Sequence, residues 1–203
     1  ILEQMSPEDP SRKRVEAILK QALVMERMLD RLTDFSRSSD ALDREMDINE
    51  ALRGALELLE YHLNKSNITL QNDLDNGLPR VKGDIGLIQQ VFVNILLNAL
   101  SSMEKVEKGL IEIRSSYWPE GGLVQMTIAN NGPPIPRELR EKIFEPFFTT
   151  KERGSGTGLG LYICREIIKL HQGRLTLICP EKAKDDLLTI FRIELPALLH
   201  NKE

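Results

Sequence analysis

Gly154-Ser155-Gly156-Thr157-Gly158-Leu159-Gly160-Leu161 sets four glycines at alternate positions ahead of an amphipathic stretch, Leu159 to His171, that reads as a helix. Glycines at this spacing let backbone N–H groups approach an anion at the positive end of a helix, which is a phosphate-binding arrangement. No Gly-Lys-Ser/Thr follows, so the run is not a P-loop. Position 159 is Leu and no strand leads into the run, so it misses the dinucleotide fingerprint as well. By itself the run reads equally well as a flexible connection.

Upstream, Gln90-Val91-Phe92-Val93-Asn94-Ile95-Leu96-Leu97-Asn98-Ala99 reads as an apolar helix that Asp84 caps and that runs to about Met103. Asn94 and Asn98 fall four residues apart and share a face. Two carboxamides on such a face are costly to bury unless something hydrogen-bonds or coordinates them. A carboxamide oxygen suits Mg²⁺ beside phosphates and waters. On this helix alone the alternative is polar groups tied to nearby backbone. Between the asparagines and the glycines lie Asn130-Asn131-Gly132-Pro133-Pro134-Ile135-Pro136, a turn whose first asparagine could accept from a purine amine, and Phe144-Glu145-Pro146-Phe147-Phe148-Thr149-Thr150-Lys151.

The surrounding pattern mixes helices and strands in one core. A helix is expected from about Asn49 to Asn64, then alternation at Ile68, Leu70 and Leu74 and a turn at Asn76-Gly77-Leu78-Pro79. Leu110–Tyr117 and Leu123–Ala129 read as a hairpin, Arg137–Ile143 as a short helix, and Arg174–Cys179 and Leu187–Leu195 as closing strands. Near the start, Val15, Ile18, Ala22, Met25, Leu29 and Leu32 keep a 3-4-3-4-3 spacing, a stripe that needs a partner helix from this chain or a second copy.

Composition narrows the function classes. The 203 residues carry a net charge of -4 and only 5% aromatics, which argues against coating nucleic acid or stacking on its bases. The two cysteines, Cys164 and Cys179, have no metal spacing around them and read as core thiols, which suits a reducing compartment. No membrane segment is expected, because Asn94 and Asn98 cut the most apolar stretch, and no signal peptide is visible. The chain opens at Ile1, as a fragment of something longer would.

The four motifs, in this order and at this spacing, resemble the N, G1, F and G2 boxes of the histidine kinase branch of the Bergerat-fold ATPases. Thr189-Ile190-Phe191-Arg192-Ile193-Glu194-Leu195-Pro196 looks like that family's last strand. The resemblance covers roughly residues 12 to 196. It implies an α/β (α+β) two-layer sandwich, a mixed sheet packed on helices, preceded by a long dimerisation helix. Residues 1–40 would then be a partial dimerisation hairpin and residues 41–203 the catalytic ATP-binding domain.

The same resemblance implies roles for individual residues. Asn98 would bind Mg²⁺, with Asn94 supporting the metal or the triphosphate. Asn130 would meet the adenine amine, Gly132 would let the base approach the backbone, Ile135 would line the pocket, and Thr189 would reach the adenine edge. Gly156, Thr157, Gly158, Leu159, Gly160 and Leu161 would wrap the phosphates and open the next helix. Residues 137–157 would form a lid that Phe144, Phe147 and Phe148 hinge and pack, with Lys151 and Arg153 as charge partners for the phosphates.

The implied activity is that of a sensor histidine kinase, which passes the ATP γ-phosphate to a histidine on a dimerisation helix for relay to the receiver domain of a response regulator. The implied setting is a homodimer in the cytoplasm. Related ATPases that hydrolyse ATP resemble one another in carrying a glutamate where Asn94 stands, and a carboxamide cannot act as a base at neutral pH. The helix-borne acceptor histidine, followed by an acidic residue and a later proline, is absent. His62, His171 and His200 read as structural or surface residues. Two positions depart from the family pattern: Asn130 stands where aspartate is usual, which implies weaker base binding, and Pro134 replaces a glycine and stiffens the turn. The alternative is a non-catalytic dimeric module that binds a response regulator or another kinase and uses nucleotide as a switch.

Overall fold

The computed structural model describes residues 42–151, 156–182 and 187–199. The stripe at 15–35, Arg153 to Ser155 and His200 lie outside the described residues.

Among the described residues, three α-helices and two sheets follow from the pattern of burial along the chain. Strand β1 (Glu45–Met46) leads into helix α1 (Ile48–Lys65), where Asp47 caps the helix by accepting from Asn49 N at 2.8 Å. Ile48, Ala51, Leu52, Ala55 and Leu59 fall on one side and are buried. Strands β2 (Ile68–Leu74) and β3 (Val81–Lys82) precede helix α2 (Ile85–Ser102), which Asp84 caps through Gly86 N and Leu87 N at 2.8 and 3.1 Å. Strands β4 (Gly109–Trp118) and β5 (Leu123–Asn130) form the expected hairpin. Helix α3 (Gly160–Leu170) and strands β6 (Arg174–Ile178) and β7 (Thr189–Pro196) complete the order. The single short helix expected near 137–143 is instead two 3-10 turns, Arg137–Leu139 and Lys142–Phe144.

The main sheet runs β2-β4-β5-β7-β6, with β2 parallel to β4 and the other neighbours antiparallel; β1 and β3 pair separately. Alternation decides which face meets the helices. Ile111 and Ile113 on β4, Val124, Met126 and Ile128 on β5, and Phe191, Ile193 and Leu195 on β7 are buried, while Glu112, Arg114, Thr127 and Arg192 take the other parity. The result is a two-layer sandwich with a mixed sheet on one side and α1, α2 and α3 on the other.

Helix α2 is its centre: Ile88, Val91, Phe92, Ile95 and Leu96 are fully buried. Truncating Phe92 to alanine costs about 3–5 kcal/mol, from lost transfer energy and the cavity left behind. With a mean hydropathy of 1.4 over Ile85–Ser102, α2 matches a membrane span in length and composition despite its two asparagines. Its apolar character is accounted for by packing between α1 and α3.

Candidate functional site

Polar side chains interrupt the helix-facing side of the sheet at one end. Asn130 is the last residue of β5 and Thr189 the first of β7, and the two are register partners. They are 2% and 5% exposed, and among the described residues the Thr189 hydroxyl has no hydrogen-bond partner. A buried hydroxyl without a partner is costly, so this end of the fold is set up to receive one.

The Asn130 Nδ2 donates to Ser102 Oγ at 3.3 Å, and Ser102 Oγ donates to the Ala99 carbonyl at 2.8 Å. A Cβ on Gly132 would stand 2.6 Å from Ser102 Oγ and 2.8 Å from Asn130 Nδ2, so only glycine leaves this corner open. The neighbouring Asn131 does different work. Its Oδ1 accepts from Leu110 N and its Nδ2 donates to the Lys108 carbonyl, both at 2.8 Å, which ties the end of β5 to the start of β4. Ile135 is half-buried against the core, and its carbonyl accepts from Arg140 Nε at 3.1 Å.

The second cluster lies where α2 meets α3. Asn94 and Asn98 are both half-buried. A Cβ on Gly160, the first residue of α3, would lie 3.9 Å from the Asn94 side-chain carbon, so the helix opens directly against that carboxamide. One turn on, the buried Cys164 thiol donates to the Val91 carbonyl at 3.7 Å, with the Asn94 side chain beside it. Burial pushes the Cys164 thiol up to about 12, an effect that the Asn94 contact partly opposes. Among the described residues no side chain caps α3, whose cap position is the buried Leu159; its first N–H groups are left for another acceptor. Leu161, half-buried, packs the helix start onto the core.

The glycine run rests on the chain that precedes it. Gly158 has φ +67, and a Cβ there would come within 2.3 Å of the Phe147 carbonyl carbon. Gly156 lies against Thr149 Oγ1 and the Lys151 side chain, so 147–151 and 156–158 run side by side. The three phenylalanines separate. Phe144 is buried edge-on to Phe191, with centroids 6.5 Å apart, and the Arg165 guanidinium lies 5.5 Å from its ring centre. Phe148 is half-buried, whereas Phe147, at φ 66, turns outward and is 65% exposed. Lys151 and Thr157 are exposed.

The two clusters are joined by α2, on which Asn94, Asn98 and Ser102 recur every four residues and line one side over about 12 Å. The sequence by itself does not single out Ser102, and it marks Cys164 only as a core thiol, which its burial bears out. Extending the asparagine spacing by one more step would have found Ser102. Among the described residues no group of three His, Cys, Asp or Glu could hold a metal ion. The donor set beside α3 is carboxamide only, which fits a Mg²⁺ held chiefly by phosphate oxygens and water, with one protein oxygen completing it. A buried, unpartnered hydroxyl, a glycine corner and an uncapped helix start together fit an adenine nucleotide.

Of the histidines, His62 is exposed and edge-on to Tyr61. His171 is buried, with Nε2 accepting from Asp84 N at 3.0 Å and Nδ1 2.7 Å from the Ile167 carbonyl. Its role is structural, tying the end of α3 to the start of α2.

Comparison with known proteins agrees with this geometry. The family model described as histidine kinase-, DNA gyrase B- and HSP90-like ATPase matches residues 83–199. The chain is 31% identical over 173 residues to the signal transduction histidine-protein kinase AtoS of Escherichia coli (strain K12), covering 85% of this chain and 28% of that protein. It is 34% identical over 207 residues to the sensor kinase CckA of Brucella abortus (strain 2308), covering 96% of this chain and 21% of that protein. The chain therefore spans about a fifth to a quarter of the length of these relatives. Among solved structures, the nucleotide-free catalytic domain of histidine kinase ThkA superposes with a TM-score of 0.64 at 38% identity, over 76% of this chain and 95% of that one. ThkA in complex with the response regulator protein TrrA matches with a TM-score of 0.66 at 30% identity, over 97% of this chain and 55% of that one. With its sandwich fold, its ordered motifs and these relatives, the chain belongs to the histidine kinase-, DNA gyrase B- and HSP90-like ATPases, and within them to the sensor histidine kinases.

Proposed function

We propose that this chain binds Mg²⁺-ATP between α2, α3 and the β5–β7 end of the sheet and donates the γ-phosphate to a histidine on a dimerisation helix. The observation that carries this is the buried Thr189 hydroxyl, unpartnered among the described residues and opposite Asn130, with Ser102, Asn98 and Asn94 on α2 running from there to the uncapped start of α3. Asn130 would accept the adenine amine, Gly132 would admit the base beside Ile135, and Thr189 would complete its edge. Asn98 would supply the protein oxygen to Mg²⁺. Asn94, next to Gly160, would face the phosphates.

The N–H groups from Gly156, Thr157, Gly158, Leu159, Gly160 and Leu161 would take phosphate oxygens. Lys151 would add charge as the segment around Phe147 closes. When bound, Mg²⁺ supplies charge neutralisation at the transferring phosphoryl group. Asn94 in place of a carboxylate base favours transfer to a protein nucleophile over hydrolysis. The receiver domain of a response regulator is the onward acceptor, the dimer forms through the segment at 1–40, and the ATP-dependent reaction is placed in the cytoplasm.

Isothermal titration with a non-hydrolysable ATP analogue, with and without Mg²⁺, tests this beside Asn98→Ala. Binding that strengthens with Mg²⁺, and loses that dependence in the variant, is expected. No binding at millimolar ligand would overturn the proposal.

A further inference from the structure

The amide orientation of Asn130 decides which base the site can read, and its surroundings fix that orientation. A serine hydroxyl has one proton to give. The proton of Ser102 is committed to the Ala99 carbonyl at 2.8 Å, so toward Asn130, 3.3 Å away, Ser102 can only accept. Nδ2 of Asn130 must therefore face Ser102, and Oδ1 must face the other way. Turning the amide over would set two acceptors against each other or force Ser102 to give up Ala99. Asn130 is 2% exposed, so water cannot readily absorb the error. Gly132 adds no atom that could hold the amide in its place, since a Cβ there would displace Ser102 itself.

We propose that Ser102 is a positioning residue that locks the Asn130 carboxamide as an acceptor and so makes the site select a purine nucleotide carrying a 6-amino group over one carrying a 6-oxo group. This rests on the nucleotide-binding reading above and deepens it. Ser102 itself lies at the surface, so its hydroxyl can be removed without opening the core.

The test compares the affinities of ATP and inosine triphosphate, in which the 6-amino donor is replaced by a 6-oxo acceptor, by titration in Mg²⁺. The starting protein should prefer ATP by roughly ten- to a hundredfold. In Ser102→Ala the amide is free to turn and donate to the 6-oxo group, and the preference should shrink to within about threefold. Ser102→Thr, which keeps the hydroxyl, should retain it.

An unchanged ratio in Ser102→Ala would overturn the lock while leaving ATP binding intact. Loss of both nucleotides from that variant would count against it too, because a surface hydroxyl that only orients an amide is not needed for binding itself. Failure of the starting protein to bind either nucleotide would instead remove the nucleotide-binding reading.

Discussion

Asn130 and Thr189 face each other across the β5–β7 ladder, a buried carboxamide opposite a buried hydroxyl that no group among the described residues satisfies. Every residue of the same parity further along β7, from Phe191 to Leu195, is apolar and packed on the helices. Stability alone would favour an apolar residue at 189 as well, a cost that suits the ligand contact proposed for the hydroxyl.

That cost can be measured. Thr189→Val keeps the shape and deletes the unpartnered hydroxyl, so the ligand-free protein should be as stable or more stable, by about 1 kcal/mol. ATP affinity should fall several-fold. Thermal melts with and without nucleotide separate the two effects; a destabilised ligand-free variant would mean that the hydroxyl has a partner after all.

Gly158 and Gly122 both have positive φ, +67 and +60, but only Gly158 is also crowded, by the Phe147 backbone. Gly122→Ala should cost about 1 kcal/mol through backbone conformation alone and leave nucleotide binding unchanged. Gly158→Ala should push the glycine run off Phe147 and lower ATP affinity by more than an order of magnitude, by roughly the cost of one strained residue or more. Equal effects of the two substitutions on binding would show that the contact with Phe147 does not shape the site.

His171 links pH to stability. Burial lowers its pKa below the ordinary 6.5, against smaller opposing contributions from the Ile167 carbonyl and from Asp84. Below 6.5 the unfolded chain takes up a proton that the folded chain resists, so stability is full above that pH. It falls as the pH drops toward the folded-state value, with no further loss from this group below it. Protonation would also remove the acceptor for Asp84 N, where α2 begins. Urea unfolding midpoints between pH 7.5 and 5 should decline in the starting protein and flatten in His171→Gln.

The two cysteines should react differently with a thiol reagent. Cys164 is buried and its thiol is held protonated, so it should be inert in the native protein, while the half-buried Cys179 reacts slowly. Denaturant should release a second equivalent. Two equivalents in the native state would mean that the α2–α3 seam, and Asn94 with it, opens readily.

The sequence by itself determined the order of the main helices and strands and singled out most of the candidate site. Apolar and amphipathic stretches marked α1, α2 and α3. Alternation marked the β4–β5 hairpin, and Asn94, Asn98, Asn130 and the glycine run stood out because each breaks a local pattern that packing would otherwise keep apolar or regular. These signals are legible because they follow from the periodicities of single elements. What only the tertiary structure decided are contacts between elements far apart in sequence. They include the parallel pairing of β2 with β4, the Thr189 hydroxyl brought opposite Asn130, Gly160 set against Asn94, and Ser102 turned to orient the Asn130 amide. The outward turn of Phe147, unlike the inward Phe144, also belongs there. Local pattern fixes which face of a helix or strand is buried, but the neighbour that each polar group meets on that face is set by how the layers pack, and that depends on the whole core at once.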